Sequence, residues 1–240
     1  MILKFLWRNF KARYRDQRAE ISAITASISP GDIAVDVGAN KGSYLLWLSR
    51  AAESVVAFVP QPLLAEYLRK VCEVTGLDNV TVEQGGVSDS NGNLPLYVPG
   101  DSTSPSASFE TVVSSSEPCR IINVPVYVLD DYFASRSRRI AALKIDVEGH
   151  ELSVLKGAKQ ILSQDAPCVV LECESRHLAH GTVHEVLNYV LSFGYTGHFV
   201  QQGKVRPISE FDPAVHQRAV GGRFWDSQDY CNNFIFRKGY

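Results

Sequence analysis

The chain has 240 residues, 45% hydrophobic and 21% charged, with a formal net charge of -2. That is material for one large domain with a sizeable core, and its balanced charge supplies no global field to gather nucleic acid, so no nucleic-acid partner is expected. No apolar run approaches the roughly 18 residues of a membrane span, and the five cysteines lack any CxxC spacing, which suits small buried thiols in a reducing cytoplasm. Residues 1–29 read as a helical extension. Ile2, Leu3, Phe5, Leu6, Trp7 and Phe10 cluster there, followed by Lys11, Arg13, Arg15 and Arg18, with no small-residue cleavage site of a signal peptide. Two uses are open to it: a helix covering the domain or a partner copy in a homodimer, or an interfacial helix making peripheral contact with an anionic membrane.

The helix expected over 11–29 stops at Ser29-Pro30-Gly31-Asp32, a strong turn signal. Residues 33–37 form a first core strand and 42–50 a helix; 54–59 form a second strand, and Pro62 opens a helix carrying Leu63, Leu64, Tyr67, Leu68 and Val71. A third strand covers 80–83. Repeated strand–helix alternation implies a parallel sheet with right-handed crossovers and helices on both faces. The period breaks over about 90–128, where strand-like runs at 94–98 and 121–129 flank a serine- and proline-rich stretch; this reads as an inserted β-rich lobe whose serine loop is the most mobile part. Alternation resumes with a strand at 140–145, a helix at 150–162, a strand at 168–172 and a helix at 182–193, and two last strands lie at 195–201 and 233–237.

Two segments carry the chemistry: a strand running into D-V-G-A-N-K-G at 36–42, and another running into K-I-D-V-E-G-H at 144–150. A dinucleotide turn needs G-x-G-x-x-G, so that bare backbone can approach a pyrophosphate. With only Gly38 and Gly42, the first segment suits a phosphate-free cofactor, and Asp36 suits a cationic group on it; S-adenosylmethionine has that character. The structural alternative is a strand–helix corner around a capped aspartate.

Together these segments resemble the FkbM family of S-adenosylmethionine-dependent methyltransferases, over roughly residues 30–236. K-I-D-V-E-G-H-E-L-S-V-L-K-G-A at 144–158 is the most distinctive stretch, supported by F-V-P-Q-P at 58–62, G-G-V-S-D at 85–89, V-L-D-D-Y at 128–132 and L-E-C-E at 171–174. The resemblance implies a Rossmann-like class I methyltransferase fold, with a seven-stranded, mostly parallel sheet, an antiparallel last strand and helices on both faces. It implies methyl transfer to a hydroxyl oxygen of a sugar or natural product. It places the cofactor at Asp36, Gly38, Ala39, Asn40, Gly42, Tyr44, Val59, Gln61, Gly86 and Val87. One position departs: Val59 stands where the family has an acid for both ribose hydroxyls. Losing charge-assisted bonds worth about 1.5–3 kcal/mol each weakens the cofactor about tenfold or more, with Gln61 a partial substitute.

For the chemistry, Asp146 at the end of the fourth core strand is the first choice to orient or deprotonate the acceptor, with Glu148 and His150 behind it. The bland reading is that Asp146 and Glu148 accept backbone N–H groups in the Gly149 turn. Lys144 balances Asp146 and, with Glu172, Ser102 and His177, is a candidate for the acceptor side. No complete set of metal ligands is visible. His177, His180 and His184 share a helical spacing, but Thr182 looks like a helix cap, which leaves the first two in a loop. The alternative to an enzyme is a non-catalytic or weakly active domain that keeps the fold, with Val59 its main support. An NAD-dependent oxidoreductase lacks both its glycine pattern and a tyrosine–lysine pair.

Overall fold

The structure, a computed structural model, describes residues 1–100, 103–111, 118–227 and 229–239. In chain order it runs α1 (Ile2–Lys11), a wide turn over Ala12–Asp16, α2 (Arg18–Thr25), β1 (Ile33–Val37), α3 (Leu45–Ala51), β2 (Ser54–Phe58), α4 (Pro62–Thr75) and β3 (Val80–Glu83). Then come β4 (Gly86–Val87), β5 (Gly92–Pro99), β6 (Cys119–Tyr127), α5 (Leu129–Tyr132), β7 (Ile140–Ile145), α6 (Glu151–Lys156) and β8 (Cys168–Glu172). The remainder is α7 (Val183–Leu191), β9 (Thr196–Gln201), β10 (Lys204–Pro207), α8 (Pro213–His216) and β11 (Asn233–Arg237).

The main sheet has the order β3-β2-β1-β7-β8-β11-β9-β10. Strands β3, β2, β1, β7 and β8 pair in parallel, and β11 inserts antiparallel between β8 and β9. Residues of β1, β2, β7 and β8 are buried on both faces, which explains their near-continuous apolar runs. One apolar layer joins the sheet to α6, α7 and Phe211; the other joins it to α1 through α4. The sheet has one strand more than the seven expected. Strand β10 hairpins onto β9 through Gln202 and Gly203, both with positive φ, and every residue of it is exposed, so no apolar pattern announced it.

The expected inserted lobe is the antiparallel hairpin β5–β6, paired from Gly92↔Val126 to Pro99↔Cys119, with β4 added in parallel. Between the hairpin strands, Ser108 bridges back to Tyr97 and carries residues 103–111 across the carboxyl ends of the main sheet. Asp101 and Ser102, with part of the serine loop expected to be mobile, lie outside the described residues.

Two helices differ from expectation. The helix over 11–29 is broken at Gln17, and the wide turn before it adds a residue that re-phases the buried positions from Phe5, Asn9 and Ala12 to Glu20, Ile21 and Ile24. The helix expected over 150–162 is interrupted after Lys156 by a turn at Gly157 and Ala158 and resumes at Lys159, and a Cβ at Gly157 would lie 2.2 Å from the Ser88 carbonyl oxygen.

Candidate active site

Strand β1 ends in a turn with Gly38, Asn40 and Gly42 at positive φ. The need for glycine at 38 comes from the protein itself: a Cβ would lie 1.8 Å from the Asp146 carbonyl oxygen, so two strand ends meet there. At Gly42 a Cβ would crowd Leu68, Leu45 and Phe5, where α1 and α4 converge. The turn is also clamped from outside. The buried amide of Asn9 donates to the Gly42 carbonyl (2.9 Å) and accepts from Leu46 N–H (3.2 Å), while Arg8 donates to the Lys41 carbonyl (3.0 Å).

Charged side chains gather at this end of the sheet. Asp36 and Lys144 are register partners on β1 and β7. The Lys144 ammonium donates to Asp146 Oδ2 at 2.8 Å and lies 4.0 Å from Asp36 Oδ1. Asp36 is 1% exposed and its Oδ1 has no hydrogen-bond partner. Burial pushes its pKa up to about 6, with Lys144 pulling it down and Asp146 pushing it further up. Burial works against the Lys144 cation, but Asp146 and Asp36 hold its pKa above the usual lysine value. Glu172 is pushed well up, by burial and then by Asp146, and its Oε1 accepts from Asn232 at 2.8 Å. Glu148, in a left-handed turn conformation, pairs with His177; burial raises the Glu148 pKa, and that pairing holds the His177 pKa up against its own burial.

Two adjoining cavities, of about 260 and 190 Å³, share Gly38, Asn40, Pro105 and Asp146 in their walls and form two lobes of one cleft. The larger lobe lies over the ends of β1, β2, β7 and β8 and is lined by Phe58, Val59, Leu64, Val87, Leu96 and Phe109, a slot suited to a flat base. The smaller is polar, with Asp36, Asn40, Tyr44 and Lys144 joined by Arg8 and Gln17 from the N-terminal segment. Buried oxygens of Asp36, Asn40 and Tyr44 have no partner in it, which fits an ammonium and carboxylate arriving with a ligand. Such a cleft, outside the carboxyl ends of strands where the sheet order reverses at β1, is the general ligand site of open α/β sheets.

Residues 103–111 roof the cleft. Gln61 donates to the Ser104 carbonyl (2.7 Å) and accepts from Ser104 N–H (3.0 Å), and Ser108 Oγ donates to the Glu148 carbonyl (2.5 Å). The Gln61 amide is therefore committed to the roof, and the partial substitution expected of it for the missing ribose acid is not what its geometry shows. Val59 is buried and lines the larger lobe as an apolar wall.

The structure brings Asp36, Gly38, Ala39, Asn40, Tyr44, Val59, Gln61, Gly86, Val87, Lys144, Asp146, Glu148 and Glu172 to the cleft. Gly42 supports it from behind. His150 lines neither lobe: its ring is held between Ser88 Oγ and Glu110 Oε1, each at 3.0 Å, and so ties the roof to the start of α6. His177 reaches the cleft only through Glu148. Ser102 lies outside the described residues. Thr182 does cap α7, in a reciprocal box with Glu185, so His177 and His180 are loop residues and His184 packs near Phe211. Among the described residues, no group of three His, Cys, Asp or Glu side chains is arranged to hold a metal.

Sequence reasoning missed Arg8, Asn9, Gln17 and Glu20. Glu20 is buried with Oε2 unpartnered, and burial raises its pKa to about 7. A lone acid at an otherwise apolar helical phase was the available signal.

The strand order, the antiparallel insertion of β11 and the cleft above β1, β2 and β7 define a class I methyltransferase architecture. Residues 36–196 match the family model of the methyltransferase FkbM domain, and the chain belongs to that family. Methyltransferase sdnD of Sordaria araneosa is 30% identical over 164 residues, covering 56% of this chain and 63% of that protein. Methyltransferase 1 of Beauveria bassiana (strain ARSEF 2860) is 26% identical over 141 residues, covering 51% and 57%. The matched segments thus span less than two thirds of either of these relatives. The crystal structure of methyltransferase FkbM from Methylobacillus flagellatus KT is similar in fold, with a TM-score of 0.56 at 16% identity, covering 97% of this chain and 53% of that one.

Proposed function

We propose that this chain binds S-adenosylmethionine and transfers its methyl group to a hydroxyl of a sugar or small natural-product acceptor. The observation that carries the reading is Asp146, the carboxylate shared by the apolar lobe and the polar lobe. When bound, the cofactor supplies a methyl group activated by a positive sulfur. The larger lobe receives the base; Asp36, Asn40 and Tyr44 offer their unpartnered oxygens, and Lys144 its positive charge, to the amino-acid end. Lys144 fixes Asp146 Oδ2, while the Asp146 side chain keeps 26% of its surface open to the cleft. That leaves Asp146 able to orient an acceptor hydroxyl and take its proton as the C–O bond forms. Glu172 and the Glu148–His177 pair stand on the same side and shape the acceptor's surroundings.

A second reading, a non-catalytic or weakly active domain, is favoured by the apolar Val59 wall and by the commitment of Gln61 to Ser104. Calorimetry with S-adenosylmethionine and its demethylated product tests cofactor binding: measurable but modest affinity is expected, and no heat at about 1 mM would refute it. A labelled methyl-transfer screen across glycans, lipid-linked sugars and polyketides, with Asp146→Ala as control, tests the chemistry. Full activity in that variant on a real acceptor would remove Asp146 from its role.

A further inference from the structure

Helix α1 and the wide turn over Ala12–Asp16 that continues it have two unlike faces. Phe5, Asn9 and Ala12 face inward, and Asn9 clamps the glycine turn. On the outer face, Leu3, Trp7, Phe10 and Tyr14 follow one another at helical spacing and are all exposed, Leu3 by 83% and Trp7 by 64%. A helix that merely covers a domain turns polar residues to water. Here the water-facing stripe is apolar and aromatic, continued by Trp47 of α3, which packs edge-on against Phe10 and Tyr14 at 5.3 and 5.9 Å.

Bases rim this stripe. Lys4, Arg8, Lys11 and Arg15 run one residue behind it, and Arg13 and Arg50 stand over the Trp47 ring at 6.0 and 5.5 Å. The first 15 residues contain no acid, in a chain whose net charge is -2. Asp16, the first acid, is taken up by Lys11 and Arg15. Aromatic rings with stacked guanidinium and ammonium groups match a bilayer interface, where rings sit at headgroup depth and bases meet lipid phosphates.

We propose that the outer face of α1, with Trp47, is an interfacial docking surface for an anionic phospholipid bilayer. The contact proposed is peripheral; no helix among the described residues is long and apolar enough to cross a membrane. Because the inner face of the same helix holds the Gly42 turn and Arg8 lines the smaller lobe, docking places the cofactor cleft at the membrane surface.

The test is sedimentation of the full chain with vesicles of phosphatidylcholine alone or mixed with phosphatidylglycerol, at low and high salt. Binding is expected only to the anionic vesicles, falling with salt, and accompanied by a blue shift of tryptophan emission that Trp7→Phe reduces and Trp7→Phe/Trp47→Phe abolishes. Leu3→Ser/Trp7→Ser, at two exposed positions, should keep the melting temperature and lower vesicle affinity about tenfold or more. Recovery of the wild-type chain in the supernatant, or vesicle binding unchanged in the double variant, would overturn the proposal. So would a homodimer in solution that the same double variant dissociates, since the stripe would then belong to a second copy.

Discussion

Glu20→Gln tests a buried acid with an unpartnered carboxylate oxygen. Glu20 is 2% exposed, Oε2 has no partner, and the backbone N–H groups of Glu20 and Ala19 offset its burial only in part. Its pKa rises from 4.5 to about 7, so the folded state holds a proton that the unfolded chain releases. A raised acid leaves stability untouched below the unfolded value and removes it progressively as pH climbs to the folded value. At about 1.4 kcal/mol per pH unit, ionised Glu20 costs the fold about 3 kcal/mol by pH 8, and deep burial leaves little solvent to screen it. Glutamine keeps an acceptor oxygen and cannot ionise. Urea denaturation at pH 4.5, 6 and 8 should show wild type and variant nearly equal at the acid end, with the variant more stable by about 3 kcal/mol at pH 8. Asp36 and Glu151, also raised by burial, are common to both proteins and cancel in the difference. A difference that stays flat from pH 4.5 to 8, or a variant less stable at pH 8, would show that the Glu20 carboxylate has a partner and would refute the argument.

Val59→Glu should lower the melting temperature of the ligand-free protein, because it buries a charge against Phe58 and Leu64, yet bind S-adenosylmethionine about tenfold or more tightly by calorimetry; unchanged or weaker affinity would discard the ribose explanation. Asn9→Ala removes buried bonds to the Phe5 and Gly42 carbonyls and from Leu46 N–H, and should cost about 2–3 kcal/mol in denaturant titration, with faster amide exchange at residues 40–46.

Much of the fold was legible because its central parallel strands are buried on both faces and write themselves as apolar runs: β1, β7 and β8 fall where expected. Strand β10 was invisible for the opposite reason, since all its residues face water. The glycine turn after β1 was legible through Asp36, Gly38, Asn40 and Gly42, but the reason for glycine was not. Only the packed structure shows that Gly38 makes room for the Asp146 carbonyl.

The two acidic segments, read without coordinates, carried the resemblance to the family to which the chain belongs, and marked the strand ends that meet at the cleft and the pairing of Lys144 with Asp146. Those features depend on local spacing, which a linear sequence records. Tertiary structure alone decided that Gln61 is held by Ser104, that His150 faces Ser88 and Glu110 away from the cleft, and that Arg8, Asn9 and Gln17 complete a site beginning some twenty residues later. Each of these joins residues about 20 to 60 positions apart, set by how helices and the roof pack over the sheet, and no local pattern encodes such a meeting.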